Sequence, residues 1–200
     1  AGEAEPLTPL DVVTTPGTHA DVMQAVGGLP GVQPVEEGAA LYVRGGDMAE
    51  TKIVLDGAVV LAPYRFESGL LSFGTFDPFE LEEIAFSSGG FGARHGDALS
   101  GLLELETAGV PEEGEIGLTA SLSALAGRVA IPIGDEVGLR MAGNRTSTAL
   151  MFRVNGHDTD FVRVPESRNG SGSLSWEYRP GGRLKLYAYD EWNRYAVVVD

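Results

Sequence analysis

The second half of the chain is dominated by a period-two alternation of apolar and polar residues. Leu118, Ala120 and Leu122 alternate with small hydroxyl residues, and similar alternation recurs at 137–142 and 173–178. Because successive side chains of a β-strand point to opposite faces, this period predicts antiparallel strands with one apolar and one polar face. Such strands form either a half-buried sheet in water or a barrel wall with lipid outside and an aqueous lumen inside.

The connections between these strands favour the barrel. Residues 131–135 and 179–182 contain Pro and Gly and predict tight turns, whereas 148–168 is a long connection rich in Asn, Asp, Arg and Pro. Outer-membrane barrels alternate brief periplasmic turns with long external loops. Soluble sandwiches also mix loop lengths, so a β-sandwich remains the alternative at this point.

The first half of the chain has a different character, with short apolar runs interrupted by Gly and Pro. We predict a small α/β domain there and place the domain boundary at 108–114. Thr18 with Asp21 resembles a capping box for a helix over Ala20–Val26. The remaining apolar runs predict short strands at 41–43, 53–55, 58–60, 84–87 and 102–107.

Two short sequences predict local geometry in this half. Asp56-Gly57 separates two apolar runs and is a strong hairpin signal, because both residues tolerate positive φ. Asp77-Pro78 combines a cap with a proline in the first helical position, which predicts a brief helical turn.

Composition excludes several functions. The chain has 29 Asp and Glu against 14 Lys and Arg, a net charge of −15, so we predict no nucleic-acid partner. It has no Cys, and its three His are far apart in sequence, so we predict no metal site and no cofactor. No apolar run approaches the roughly 18 residues of a membrane helix. The acidic residues 1–5 lack signal-peptide regions, and we expect any signal peptide to have been removed.

We predict that the protein is not an enzyme. Ser100 lies in Asp-Ala-Leu-Ser-Gly, which lacks the first glycine of a nucleophile elbow. The glycine-rich stretch 89–96 fits neither a dinucleotide-binding loop nor a phosphate-binding loop ending in Lys-Ser/Thr. His95 and Asp97 could in principle act as a base and its orienter, but two polar residues in a turn are much the simpler explanation.

A succession of motifs runs from Asp21 to Thr107. In order, it contains DVMQAVGGLPGV, LYVRGGDMAETKIVLDGAVV, FDPFELEEIAFSSGGFGARHG and LSGLLELET. Together these resemble the plug domain of TonB-dependent outer-membrane receptors, which share L-P-G-V, R-G-G, D-G, a D-P-x-x-I-E segment and S-G-x-I-x-I-x-T. The stretch 114–147 resembles the first barrel strands of the same family. His95 departs from the family pattern, which has a tyrosine there.

The resemblance implies an organisation for the chain. Residues 1–17 would be an extended N-terminal segment that interacts with TonB, 18–110 an α+β plug with a small mixed sheet and short helices, and 111–200 about five antiparallel strands of a transmembrane β-barrel. Family barrels have about 22 strands, and five strands would leave two open edges in lipid. We therefore expect the chain to be an excerpt of a longer receptor or one part of an assembly.

The resemblance also assigns roles to residues. Arg44 and Arg94 match the two plug arginines that pair with barrel glutamates and lock the plug to the wall, as guanidinium–carboxylate forks can where solvent is limited. Leu10 to Thr14 is apolar enough to pair with TonB as an extended strand, or to be the first strand of the plug, so Asp11, Val12, Val13 and Thr14 are the predicted TonB contacts. Tight turns or close backbone approach are predicted at Gly31, Gly45, Gly46, Asp56, Gly57, Gly89, Gly90, Gly96 and Gly101.

The function implied is energised import of a scarce nutrient across the bacterial outer membrane. TonB, outer-membrane lipid and a small ligand such as a ferric siderophore, haem, cobalamin or a glycan would be the partners. The alternative is a soluble binding module made of an α/β domain and a β-sandwich. The residues of this chain do not identify the nutrient, because most external loops of such a receptor lie outside it.

Overall fold

A computed structural model of the chain describes residues 5–18, 20–35, 38–67, 71–120, 124–147, 149, 153–154 and 161–197. The chain divides into two units. The first comprises Ala1–Arg65 and Ser72–Ala108, and the second comprises Phe66–Leu71 and Gly109–Asp200.

Nine strands precede residue 108. They are β1 (Glu5–Leu7), β2 (Val32–Val35), β3 (Gly38–Val43), β4 (Thr51–Leu55), β5 (Ala58–Val59), β6 (Tyr64–Glu67), β7 (Leu71–Gly74), β8 (Leu81–Ser87) and β9 (Gly101–Thr107). Five of them form a mixed sheet in the order β1-β8-β9-β4-β5, in which β4 and β9 are parallel and the other pairs antiparallel. The pairs β2-β3 and β6-β7 form two small sheets.

Two short helices contribute to the core of the first unit: α1 (Pro9–Thr14) contacts β8 of the five-stranded sheet, and α2 (Val22–Gly27) contacts β2 and β3. Ile84 and Leu103 from the sheet and Val26 from α2 are fully buried. Burial of each such side chain stabilises the fold by about 1.5–3 kcal/mol relative to exposure. The Tyr64 hydroxyl accepts a hydrogen bond from the Leu41 amide at 3.2 Å, and burial raises the pKa of Tyr64.

Helix α2 is present as predicted, but its cap differs. Asp21 is the N-cap and accepts a hydrogen bond from the Gln24 amide at 3.0 Å. The predicted cap, Thr18, instead donates its hydroxyl to the Val12 and Thr15 carbonyl oxygens. The side chain of Thr18 is therefore used to fasten the preceding chain segment rather than to begin the helix.

The prediction of an extended segment at residues 10–14 is wrong. Asp11, Val12, Val13 and Thr14 lie in α1, and the first strand of the unit is β1, which pairs with β8. A capping box starts the helix: the Asp11 amide donates to the Thr8 hydroxyl, while the Asp11 carboxylate accepts from the Thr8 amide and hydroxyl. Pro9 is in the first turn, and Val12 is fully buried, so cap and burial outweigh the strand propensity of the valines.

Replacing Thr8 by alanine is expected to raise the pKa of the Asp11 carboxyl. In the native protein the hydrogen bonds from Thr8 stabilise the ionised carboxylate and hold this pKa below its ordinary value. Loss of the hydroxyl removes the largest of these contributions, so the pKa should rise towards that of an unperturbed aspartate. A carboxyl carbon-13 NMR titration of Asp11 in wild type and T8A measures the shift, and identical titration curves would contradict the capping box.

The predicted hairpin at Asp56-Gly57 is present between β4 and β5. Its two residues have φ of 48° and 85°, as a two-residue hairpin turn requires. The Asp56 carboxylate also accepts hydrogen bonds from the Thr107 amide at 3.0 Å and the Thr107 hydroxyl at 2.6 Å. The turn therefore fastens the end of β9. The predicted cap at Asp77 is present too, ahead of a single 3-10 turn at Pro78–Glu80.

The second unit is an antiparallel meander of five strands in sequential order. They are β10 (Glu115–Ala120), β11 (Ala124–Ile133), β12 (Val137–Ser147), β13 (Phe161–Arg179) and β14 (Gly182–Val197). The fold class predicted from the sequence, a small mixed sheet with short helices followed by antiparallel strands, is confirmed. One boundary is wrong: residues 161–168 are strand, although they belong to the predicted long connection, because their backbone continues the pairing with the neighbouring strands.

Candidate functional site

The sheet of the second unit exposes its apolar face. The cross-strand register aligns odd positions of β11 and β12 with even positions of β10, β13 and β14. Nine large apolar residues on this face are between 42% and 82% exposed: Ile116, Leu118, Leu125, Ile131, Ile133, Met141, Trp176, Leu184 and Leu186. A contiguous exposed apolar surface of this kind marks contact with a partner or with a membrane.

The opposite face of the same sheet is polar and more shielded. Ser167, Ser173 and Ser175 are buried, and Tyr189, Glu191 and Asn193 lie on the same face. The Glu191 carboxylate accepts hydrogen bonds from the Tyr189 hydroxyl at 2.9 Å and the Asn193 amide at 2.6 Å. In a half-buried sheet in water, the apolar face is shielded and the polar face is exposed. Here the polar face is shielded and the apolar face is exposed. This order is typical of a barrel wall in lipid.

The apolar face has aromatic residues at both ends. Trp176 and Tyr178 lie near the turn between β13 and β14, with ring centroids 5.8 Å apart, and Trp192 lies towards the other end of β14. The distance between the two ends can be counted along β13, because Arg168 of β13 is the cross-strand partner of Trp192. Arg168 and Tyr178 are ten positions apart. At about 3.3 Å per residue and a tilt of about 40°, this distance corresponds to a height of about 25 Å, the height of the apolar band of outer-membrane barrels.

In the first unit, Arg44 extends from a loop lined by glycines. It follows β3 with φ of 51°, its amide donates to the Gly31 carbonyl at 2.9 Å, and Gly45 follows with φ of 79°. A Cβ on Gly89 would lie 3.0 Å from Arg44 Nη1, so a side chain there would displace the guanidinium. Arg44 is exposed and forms no ion pair with any described residue.

Arg94 differs because it has an acidic partner in its own unit. Its Nη2 lies 3.0 Å from Glu104 Oε1, and its Nε donates to His95 Nε2 at 2.7 Å. His95 Nε2 also lies 3.2 Å from Glu104 Oε1, a contact that would need a proton on Nε2. Both contacts with Nε2 cannot be favourable at once. The Arg94 bond is the more secure, because a guanidinium always carries its proton, so Nε2 is an acceptor.

The other predicted turn residues fall into three groups. Positive φ occurs at Gly31, Gly45, Asp56, Gly57 and Gly90. Close approach occurs at Gly46, where a Cβ would lie 2.6 Å from Ser100 Cβ, and at Gly101, where it would lie 2.9 Å from Val43 Cγ2. Gly96 satisfies neither condition, since its φ is −59° and open space surrounds it. The predicted turn is present at Gly96, although its backbone there does not require glycine.

The residues considered for hydrolysis have separate neighbours. The Ser100 hydroxyl lies 3.4 Å from the Thr51 hydroxyl, and Asp97 lies 3.7 Å from Lys52 Nζ. Among the described residues no hydrogen bond joins Ser100 to His95 or Asp97. The same residues contain no cluster of His, Asp and Glu suited to a metal ion. Within the described helices, none has the length and apolar character needed to cross a bilayer.

Sequence patterns did not single out Glu104 or the three buried serines. Their roles depend on which strands lie beside them, and no local motif marks either. Glu104 is one of two acidic residues in β9, together with Glu106, so the sequence alone does not distinguish it.

Comparison with known proteins supports the fold. No protein-family model matches the chain, and no curated protein matches its sequence significantly. Several solved structures match almost all of it. The siderophore receptor PirA from Pseudomonas aeruginosa has 20% identity and a TM-score of 0.65 over 98% of the chain. The copper transporter OprC has 16% identity and a TM-score of 0.63 over 98%. The FrpB iron transporter from Neisseria meningitidis has 16% identity and a TM-score of 0.62 over 96%.

The chain therefore has the fold of the plug region and adjoining strands of outer-membrane receptors and transporters. The resemblance to TonB-dependent receptors is confirmed at the level of fold. The chain spans about a third of the length of these proteins, between 32% and 34%.

Proposed function

We propose that this chain forms the plug and the first barrel strands of a TonB-dependent receptor that imports a scarce nutrient across the bacterial outer membrane. The observation that carries the proposal is the reversed order of the second unit: apolar side chains outside, buried serines inside. A metal chelate or an oligosaccharide is the class of ligand that we infer. The structural likeness to receptors for siderophores, copper and iron supports the chelate in particular.

The same observation counts against a soluble module with a β-sandwich. In a sandwich the apolar face of each sheet packs against the other sheet, and the polar face meets water. Here Ile116 and Leu118 are each 82% exposed, while Ser175 is 3% exposed. A sheet of this kind in water would leave its apolar surface uncovered.

In the proposed receptor the plug arginines hold the plug in place. Arg44 has no acidic partner among the described residues, so its guanidinium is available to a glutamate from the remainder of the barrel. Arg94 already contacts Glu104 at 3.0 Å, and a barrel glutamate would have to share it or replace Glu104. We therefore assign the main locking role to Arg44 and a weaker one to Arg94.

Contact with TonB through Asp11, Val12, Val13 and Thr14 stays a prediction. Pairing as a strand would require α1 to unwind and Val12 to leave the core. Both steps oppose constitutive pairing. We propose that this segment becomes available to TonB only after the plug has been loosened, with ligand binding as the trigger.

Replacing Arg44 by alanine in the complete receptor is expected to raise passive entry of a small solute. Loss of a charge-assisted hydrogen-bonded pair costs about 1.5–3 kcal/mol, which corresponds to about a tenfold or greater rise in the open population. Swelling of receptor-containing liposomes in an oligosaccharide solution measures the leak. The conservative variant R44K keeps the charge but not the fork and should leak less than R44A.

Arg94 provides the matched comparison. R94A should leak less than R44A, because Glu104 already competes for its guanidinium. Unchanged swelling in R44A, R94A and the double variant would overturn the locking role while leaving the membrane assignment intact.

A further inference from the structure

Two arginines face each other on the exposed face of the second unit. Arg145 on β12 is the direct cross-strand partner of Arg168 on β13, and Arg168 is the partner of Trp192 on β14. Both arginines are exposed, and the Arg168 guanidinium carbon lies 5.1 Å from the centre of the Trp192 ring. The three side chains form one row across three strands, which we name the Arg-Trp row.

This row is electrostatically unfavourable by itself. Like charges placed directly opposite each other in an antiparallel pair destabilise the sheet. Neither Arg145 nor Arg168 forms an ion pair with any other described residue. The chain has 29 acidic residues. Among the described residues, however, none of them lies within ion-pair distance of Arg145 or Arg168.

Acidic residues do occur nearby and must be weighed. Glu166 lies one row further along the same face, as the direct partner of Ser147 on β12 and Arg194 on β14. It is therefore diagonal to Arg145 and two positions from Arg168, and it forms no ion pair with either. Asp190 is the partner of Gly170, one row nearer the apolar band, so it is diagonal to Arg168 at roughly 7–8 Å. These acids leave the Arg145–Arg168 pair without a direct counter-charge.

The position of the row indicates what supplies the counter-charge. It follows the apolar residues of the exposed face at the end opposite the turn between β13 and β14. If that face meets lipid, as the proposed function requires, the row lies at the depth of the lipid headgroups. Tryptophan is enriched at this depth, and arginine recognises phosphate with a planar fork of donors. The partner that matches such a place and charge is a phosphate carried by a lipid.

We propose that Arg145, Arg168 and Trp192 form an external site for a phosphorylated lipid headgroup, in the leaflet next to the connection between β12 and β13. The two guanidinium groups bind the phosphate, and the Trp192 ring holds Arg168 in place. The bound anion relieves the repulsion between the arginines. This inference rests on the proposed membrane function.

The test uses the complete receptor purified in detergent, with wild type, R145Q/R168Q and R179Q compared. Arg179 is an exposed arginine close to Tyr178 at the opposite end of β13, so R179Q is the matched control. Bisphosphorylated lipid A and the same lipid without its phosphates are added, and native mass spectrometry measures retention. The double variant is expected to retain the phosphorylated lipid about 30-fold less strongly, from about 1 kcal/mol for each arginine. Neither R179Q nor the dephosphorylated lipid should show this difference.

A second measurement separates binding from misfolding. In lipid-free detergent, R145Q alone should melt at a higher temperature than wild type, because it removes a like-charge pair. Excess lipid A should reverse that order. Equal retention of phosphorylated lipid by wild type and R145Q/R168Q, or equal competition by inorganic phosphate and lipid A, would overturn the site. A receptor that stays monomeric in buffer without detergent would instead overturn the proposed function.

Discussion

Replacing Met141 by arginine should sharply reduce insertion of the complete receptor into a bilayer, whereas replacing Ala142 should not. Met141 is 51% exposed on the apolar face, and Ala142 is its neighbour on the polar face. A charged side chain on the lipid face near the midplane costs about 2–4 kcal/mol, while substitutions facing the lumen are tolerated. The folding equilibrium in the bilayer should therefore be lowered more than tenfold further by M141R than by A142R.

Equilibrium folding of the two variants into phosphatidylcholine vesicles, as a function of urea, measures this difference. In a water-soluble module the expectation is reversed, because an exposed position such as Met141 tolerates arginine within about 0.5 kcal/mol. Equal stability of M141R and wild type would therefore refute a lipid-facing sheet. The result depends on no assumption about ligand or TonB.

Replacing Asp21 by alanine is expected to destabilise the first unit by about 3 kcal/mol. The carboxylate is 4% exposed and accepts hydrogen bonds from the Gln24 amide at 3.0 Å and the buried Gly74 amide at 2.7 Å. Loss of the helix cap costs about 1 kcal/mol, and leaving the Gly74 amide unsatisfied costs about 1–3 kcal/mol. Asp21 thus fastens β7 to the start of α2.

Native-state hydrogen exchange at the Gly74 and Gln24 amides reports this loss directly. Asp77 is the control, because its hydrogen bond with the Phe79 amide at 2.9 Å, which caps a single 3-10 turn, is exposed. D77A should cost no more than about 1 kcal/mol. Unaltered protection of Gly74 in D21A would show that other contacts hold β7.

Local features were predictable where the chain period or a short motif is sufficient. The Asp56-Gly57 hairpin follows from two residues that tolerate positive φ, and the turn at Asp77-Pro78 follows from a cap and a preset proline. In the second unit, alternation predicted β10, β12 and β13, whereas the number of about five strands came from the resemblance. The same kind of signal was available at Thr8, Pro9 and Asp11, but the adjacent valines favoured an extended interpretation. Burial of Val12 decided for the helix.

The candidate site was predictable only in part. Arg44 and Arg94 could be named from the resemblance, but the partner of Arg94 could not, because Glu104 reaches it across the chain fold from β9. The strand content of residues 161–168 was missed because they adjoin a polar stretch whose composition suits a loop and a water-facing strand equally. Only pairing with a neighbouring strand distinguishes the two.

By itself, the amino-acid sequence determined the alternating strands of the second unit and the turns at Asp56-Gly57 and Asp77-Pro78, because alternation and turn residues act over a few positions. The tertiary structure decided which face of the second sheet is exposed, since alternation is symmetric and does not say which side meets water. It also decided that Arg145 lies opposite Arg168. These two residues are 23 positions apart in the chain, and the register between β12 and β13 brings them together. Backbone hydrogen bonds fix that register, and no local pattern of side chains records it.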